Sequence, residues 1–131
     1  MCSSDLEAAS VGQEELFASM EQELRRGTLV LCVLCQLEWP MYGYSLVGAL
    51  SRKGVPVEAN TLYPLLRRLE GQGLLTSEWE TSGSKPRKYY RVTPEGREVC
   101  ARLKAAWQAT VESVQRAMET EWEGKTDEQG E

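Results

Sequence analysis

The hydrophobic rhythm of the chain changes period within a few residues of Gly73, and this restricts the fold more than any other feature. Upstream, in "VPVEANTLYPLLRRLEGQG", Leu62, Leu65, Leu66 and Leu69 recur at i, i+3, i+4 and i+7, one stripe of a helix. Downstream, in "LLTSEWE", Leu75, Ser77 and Trp79 alternate with Thr76, Glu78 and Glu80. In "KYYRV", Tyr90 and Val92 alternate with Tyr89 and Arg91. Period two belongs to strands. The intervening "TSGSKPR" is turn chemistry, so the two runs predict a β-hairpin. Gly71 and Gly73 stop the helix before it. Pro64 has no amide hydrogen and suits only a first turn, which predicts a helix start between Glu58 and Thr61.

The elements around this switch follow from the same reasoning. "QEELFASMEQEL" sets Leu16, Phe17, Met20 and Leu24 at helical spacing, an amphipathic helix. "TLVLCVLCQLEW" is apolar on nearly every side, a buried helix that must stop before Pro40. "MYGYSLVGALSRKG" offers one short apolar face, Leu46, Val47 and Leu50, with Gly54 as its stop. Thr93 before Pro94 makes a cap and first position for a last helix running to about Glu123. Its apolar side carries Cys100, Leu103, Trp107, Val111, Val114, Met118 and Trp122, in steps of 3, 4, 4, 3, 4 and 4. Residues 1–10 and 124–131 are small, polar or acidic and are expected to fray. Compact helices followed by a hairpin predict a mainly α fold with a two-stranded wing, a winged helix-turn-helix extended by a long helix. The boundaries are 1–23 for an acidic extension, 24–93 for the winged unit, 94–123 for a dimerisation helix and 124–131 for an acidic tail.

Charge is distributed unevenly. The net charge is -5, yet residues 1–24 hold six acids and no base, and residues 119–131 hold six acids and one base. The remaining 94 positions carry 8 acids against 14 bases, so the body is basic. A polyanion responds to the local patch within about one Debye length, so nucleic acid is an admissible partner. No apolar run is long enough for a membrane span, and no basic start precedes an apolar stretch, so a cytoplasmic protein is expected. The cysteines, Cys2, Cys32, Cys35 and Cys100, show no disulfide-framework spacing, and the chain has no histidine. Cys32 and Cys35 fall in a buried-helix sequence and are expected to be reduced core residues, with neither a metal nor a cofactor. No activated nucleophile, phosphate loop or carboxylate pair is recognisable, so an enzyme is not expected.

With its leucines turned inward, the helix at 60–70 leaves Asn60, Thr61, Tyr63, Arg67 and, at the margin, Arg68 toward solvent. Asn pairs bidentately with adenine and Arg with guanine in the major groove, while Tyr and Thr hydroxyls reach phosphates. Such a face is equally that of an ordinary solvated helix. The basic hairpin tip, with Lys85, Arg87 and Lys88 stiffened by Pro86, favours the DNA reading. On this reading Tyr90 points inward and Tyr89 outward. The competing reading is a winged-helix protein-interaction module, whose exposed helix face would instead cluster apolar residues.

Three blocks, "MYGYSLVGAL", "NTLYPLLRRLEGQGLL" and "KPRKYYRVTPEGRE", resemble the signatures of the PadR family of transcriptional regulators. The similarity runs from about Leu24 to Leu103, and the short last helix resembles the small subfamily. The resemblance implies a winged-helix homodimer, usually a repressor, that leaves a palindromic operator in double-stranded DNA when a small molecule binds. By position it implies that Tyr42-Gly43-Tyr44 opens the second helix of the motif and that Asn60, Thr61, Leu62 and Tyr63 open the recognition helix. Lys85 to Tyr90 then form the wing and its return strand. It also implies that Trp107 pairs across the dimer and sandwiches a planar aromatic ligand. The acidic N-terminal extension and the short wing depart from the family pattern.

The residues independently suggest a partner for the last helix, since its apolar stripe exceeds what small neighbours can cover. Leu103, Trp107, Val111, Val114, Met118 and Trp122 are the expected dimer surface, packed against the other subunit's N-terminal helix. Two-fold symmetry would set two recognition helices about one DNA turn apart. For Trp107, burial in that interface stands beside the ligand-platform role.

Overall fold

The leucine stripe of the central helix closes onto the hairpin as its period requires. The computed structural model describes residues 2–119, as α1 (Cys2–Arg26), α2 (Leu29–Gln36), β1 (Met41–Tyr42), α3 (Gly43–Arg52), α4 (Ala59–Gly71), β2 (Leu75–Glu80), β3 (Arg87–Val92) and α5 (Pro94–Met118). The chain divides into two compact units, residues 1–100 and 101–131, with α5 crossing the boundary. The first unit is a winged helix-turn-helix.

Its core is built from one face each of α2, α3 and α4, closed by the hairpin and the start of α5. Val33, Leu34 and Leu37 come from α2 and its end, Leu46, Ala49 and Leu50 from α3, and Leu62, Leu66 and Leu69 from α4. Leu75, Tyr90, Val92 and Cys100 complete it from the sheet and the start of α5. At about 25 cal/mol per Å² of apolar surface removed from water, these side chains supply the main drive for folding. Gly54 and Gly73, at φ +86° and +81°, reverse the chain after α3 and α4 in a conformation that disfavours other residues.

The wing has three strands, where the sequence predicts two. β1 joins the edge of β3, giving the antiparallel order β1-β3-β2. A strand of two residues has no periodicity to read, so "MY" is indistinguishable in sequence from the opening of α3. α4 starts at Ala59, inside the expected window, which puts Pro64 in the second turn. There its missing N–H forgoes one helical bond, to the carbonyl of Asn60. The start is fixed upstream, because the Glu58 carbonyl accepts from the amides of Thr61 (3.0 Å) and Leu62 (2.9 Å).

The N-terminus differs from expectation. α1 begins at Cys2 rather than after a frayed segment, since Leu6, Glu7, Ala8 and Ala9 are strong helix formers that extend it backwards. Leu16, Phe17, Met20 and Leu24 of α1 are all exposed.

The junction into α5 is tightly built. The Thr93 hydroxyl accepts from the Gly96 amide (3.0 Å), the expected cap, and donates to the Gly73 carbonyl (2.7 Å). The Thr93 amide donates to Leu74 O (3.0 Å) and the Val92 amide to Leu37 O (2.9 Å). In the second unit α5 continues to Met118, with Leu103 and Val111 half-buried. Trp107, Val114 and Met118 are exposed at 43, 46 and 63%. Trp122 and the tail 124–131 lie outside the described residues.

Candidate nucleic-acid interface

Strand alternation gives the wing two faces with different chemistry. In β3, Arg87, Tyr89 and Arg91 share one face, and Lys88, Tyr90 and Val92 share the other. Register matches Glu80 with Arg87, Glu78 with Tyr89 and Tyr42 with Tyr89, so the outer face mixes tyrosines, carboxylates and guanidinium groups.

Tyr42 is the hub of that face. Its hydroxyl donates to Glu80 Oε2, its ring stacks on Tyr44 (5.8 Å, 7° between planes), and Tyr89 meets it edge-on. The Arg87 guanidinium lies 5.5 Å from the Tyr42 ring centroid, and its Nη1 is 3.4 Å from the Tyr44 hydroxyl. The hydrogen bond from Tyr42 lowers the pKa of Glu80, helped by the Ser82 hydroxyl, and the same bond raises that of Tyr42. Tyr89 donates to Glu78 (2.8 Å), which raises its pKa. Tyr89 is therefore outward but engaged, while Tyr90 is buried at 4% exposure.

The inner face explains Lys88. It follows the period of Tyr90 and Val92, so it turns under the wing rather than out from its tip. Its ammonium lies 5.8 Å from the Trp79 ring centroid, 5.4 Å from that of Tyr90 and 3.8 Å from Glu70. Glu70 also accepts from Ser77 on β2. Lys88 thus fastens the wing to α4, whereas Lys85, at the tip, is exposed.

Tyr63 performs a similar fastening on the other side. A Cβ built on the buried Gly43 would sit 2.5 Å from Tyr63 Cε1, so the ring lies directly on the first residue of α3. Between these attachments runs an open groove. Tyr42, Gly43 and Tyr44 line one wall, Tyr63 and Arg67 the second, and Trp79, Pro86, Arg87, Lys88 and Tyr90 the third. Asn60 and Thr61 are exposed in the first turn of α4, and Arg68 is exposed near its end, all off the groove. The structure therefore gathers Tyr42, Tyr44, Tyr63, Arg67, Arg87 and Lys88 into one site. Lys85, Asn60 and Thr61 stand outside it. Trp107 belongs to the second unit.

Sequence reasoning overlooked Glu70, Glu78 and Glu80, the acids that organise the basic and aromatic residues. Alternation in "LLTSEWE" puts Glu78 and Glu80 on one face, but nothing local pairs them with Tyr89 and Tyr42. No group of three or more His, Cys, Asp or Glu suited to a metal occurs among the described residues. No described helix is long and apolar enough to cross a membrane.

Residues 30–102 match the transcriptional regulator PadR-like family. The chain belongs to that family. A PadR family regulator from Eggerthella lenta DSM 2243, known from a crystal structure, is 54% identical, with 85% of this chain and 99% of that one covered at a TM-score of 0.82. A curated transcriptional regulator of Mycobacterium tuberculosis is 47% identical over 57 residues, 44% of this chain. The chain spans 53% of that relative's length. The crystal structure of Bacillus subtilis PadR in complex with operator DNA is 21% identical, covers 58% of this chain and 45% of that one, and shares the fold at a TM-score of 0.54. The PadR-like family and these relatives are transcriptional regulators, not enzymes.

Proposed function

We propose that the protein binds duplex DNA in the cytoplasm through the exposed face of α4 and the β2–β3 wing, and that it represses transcription from a palindromic operator. The observation that carries this is the convergence of Tyr44, Arg67 and Arg87 on one open groove, with Asn60 and Thr61 exposed on the same helix as Arg67. These groups suit phosphates and base edges, and no apolar cluster occupies the α4 face, as a protein-binding module would require. The Bacillus subtilis relative solved with operator DNA supports the same assignment by analogy. Arg67 and Lys85 supply most of the sequence-independent attraction, Arg87 adds less because Glu80 stands opposite it in register, and Asn60, Thr61 and Tyr63 set register. Lys88 acts by holding the wing.

The working unit is a homodimer. The exposed apolar residues Trp107, Val114 and Met118, with the half-buried Leu103 and Val111, form its contact on α5, covered by the exposed stripe of the partner's α1. A planar aromatic ligand stacked on Trp107 would relieve repression, a role that rests on family resemblance and on the exposed indole. The deciding experiment titrates the DNA upstream of the protein's own gene against an unrelated duplex at two salt concentrations. Tighter binding to the upstream DNA, with both affinities falling steeply with salt, is expected. Equal affinity at both salts would refute specific regulation.

A further inference from the structure

Cys35 and Cys100 are 65 positions apart in sequence, yet their sulfurs lie 3.0 Å from each other. Cys35 ends a turn of α2, and Cys100 sits near the start of α5, so the contact bridges the two ends of the winged unit. Nothing in the groove chemistry uses this pair. A disulfide needs an S–S distance of about 2.05 Å, so the sulfurs would have to close by roughly 1 Å. Access is unequal. Cys35 is half-buried and open to a small oxidant, whereas Cys100 is 2% exposed. Cys32, one turn earlier on α2, is also half-buried, and burial raises its thiol pKa, followed by the effect of Cys35. The arrangement is that of an accessible thiol with a second thiol already placed behind it.

We propose that Cys35 and Cys100 form an oxidation site, at which a hydroperoxide drives closure of an intramolecular disulfide between α2 and α5. The Cys35 thiolate attacks a peroxide oxygen, the O–O bond breaks, and the departing oxygen leaves as water or an alcohol after taking a proton. Cys35 becomes a sulfenic acid. The Cys100 sulfur then attacks the Cys35 sulfur, the S–O bond breaks, and the hydroxyl leaves as water with the Cys100 proton. The two thiols lose two electrons and two protons, and the peroxide gains both. The resulting ring encloses α3, α4 and all three strands. In a reducing compartment such a bond is transient, as expected of a sensor rather than a structural staple.

The test treats the full-length reduced protein with hydrogen peroxide, alkylates the remaining thiols and maps the peptides by mass. The expected product has lost two hydrogens, carries a Cys35–Cys100 linked peptide and leaves Cys2 and Cys32 alkylated. Dithiothreitol restores the starting mass. C35S and C100A abolish the linkage, while C32S and C2S retain it. The oxidised wild type melts at a higher temperature than the reduced form, and C35S shows no such shift. The wild-type peptide map decides the matter even if a variant misfolds. A link from Cys32 to Cys100, cross-linking between chains through Cys2, or sulfinic acid at Cys35 without a link would overturn the proposal. So would four alkylatable thiols after peroxide treatment that oxidises free glutathione.

Discussion

Replacing Gly96 by alanine probes the junction on which the wing and α5 both depend. Gly96 is buried in the first turn of α5, and an added Cβ would meet Leu74 O at 2.1 Å, Val92 Cγ2 at 2.5 Å and Leu74 C at 3.0 Å. Two of these atoms are backbone and cannot rotate aside. To reach ordinary contact the helix start must withdraw by roughly 1.4 Å from Leu74 O, given contacts near 3.5 Å. That withdrawal loosens the Thr93 cap on Gly96 and the bonds from Thr93 to Gly73 and Leu74. Overpacking of this kind costs about 1–3 kcal/mol. Weakening the cap adds about 1 kcal/mol. Alanine's helix preference over glycine returns up to about 1 kcal/mol. The expected net loss is therefore about 2 kcal/mol, a drop of roughly 1 M in urea midpoint for a small protein. Urea unfolding followed by circular dichroism measures it, at one protein concentration because association would add to stability. Gly12→Ala is the control, since nothing lies within 4 Å of its added Cβ, and it should be neutral or stabilising. A G96A midpoint equal to or above that of wild type would mean that the α5 start accommodates a side chain without cost.

Four substitutions in the wing and α5 have distinct expected outcomes. Lys85→Ala should weaken binding to all DNA sequences alike and reduce the salt slope by about 1, measured by fluorescence anisotropy at several salt concentrations. Lys88→Ala should move the slope less and increase protease sensitivity of the wing, because its ammonium is held by Trp79, Tyr90 and Glu70. The lowered pKa of Glu80 means its small contribution is present above the ordinary carboxyl value of 4.5 and lost as pH falls through the folded-state value. Tyr42→Phe should therefore flatten the acid-side loss of wing protection seen by hydrogen exchange. Trp107→Ala should shift the monomer–dimer balance toward monomer in sedimentation velocity and remove quenching by a planar aromatic ligand; an unchanged dimer would remove Trp107 from the interface.

The fold was legible where a period persists over several residues. The stripe Leu62, Leu65, Leu66 and Leu69, the alternation into Tyr90 and Val92, and the Thr93-Pro94 cap each imply their element locally. β1 was not legible, since Met41 and Tyr42 become a strand only by pairing with Tyr90 and Tyr89. Lys88 shows a subtler limit. The alternation that sends Tyr90 inward also sends Lys88 inward, but its charge suggests a free tip, and the rings of Trp79 and Tyr90 with Glu70 of α4 account for its half-buried place. The link of Tyr42 to Glu80 joins residues 38 apart, and the contact of Cys35 with Cys100 joins residues 65 apart. Such juxtapositions depend on how helices and sheet close on each other.

The carboxylates on the wing's outer face bear on kinetics as well as on geometry. Glu78 and Glu80 stand beside Arg91 and Arg87, within one strand register of each other, so that face is close to neutral as a whole. A neutral face adds little to the counterion release that holds a protein on arbitrary duplex. On the proposed reading, dwell time on non-operator DNA would then depend mainly on Lys85 and the α4 arginines, and it would be short. The protein would exchange rapidly among wrong sites and linger only where Asn60 and Thr61 meet matching base edges.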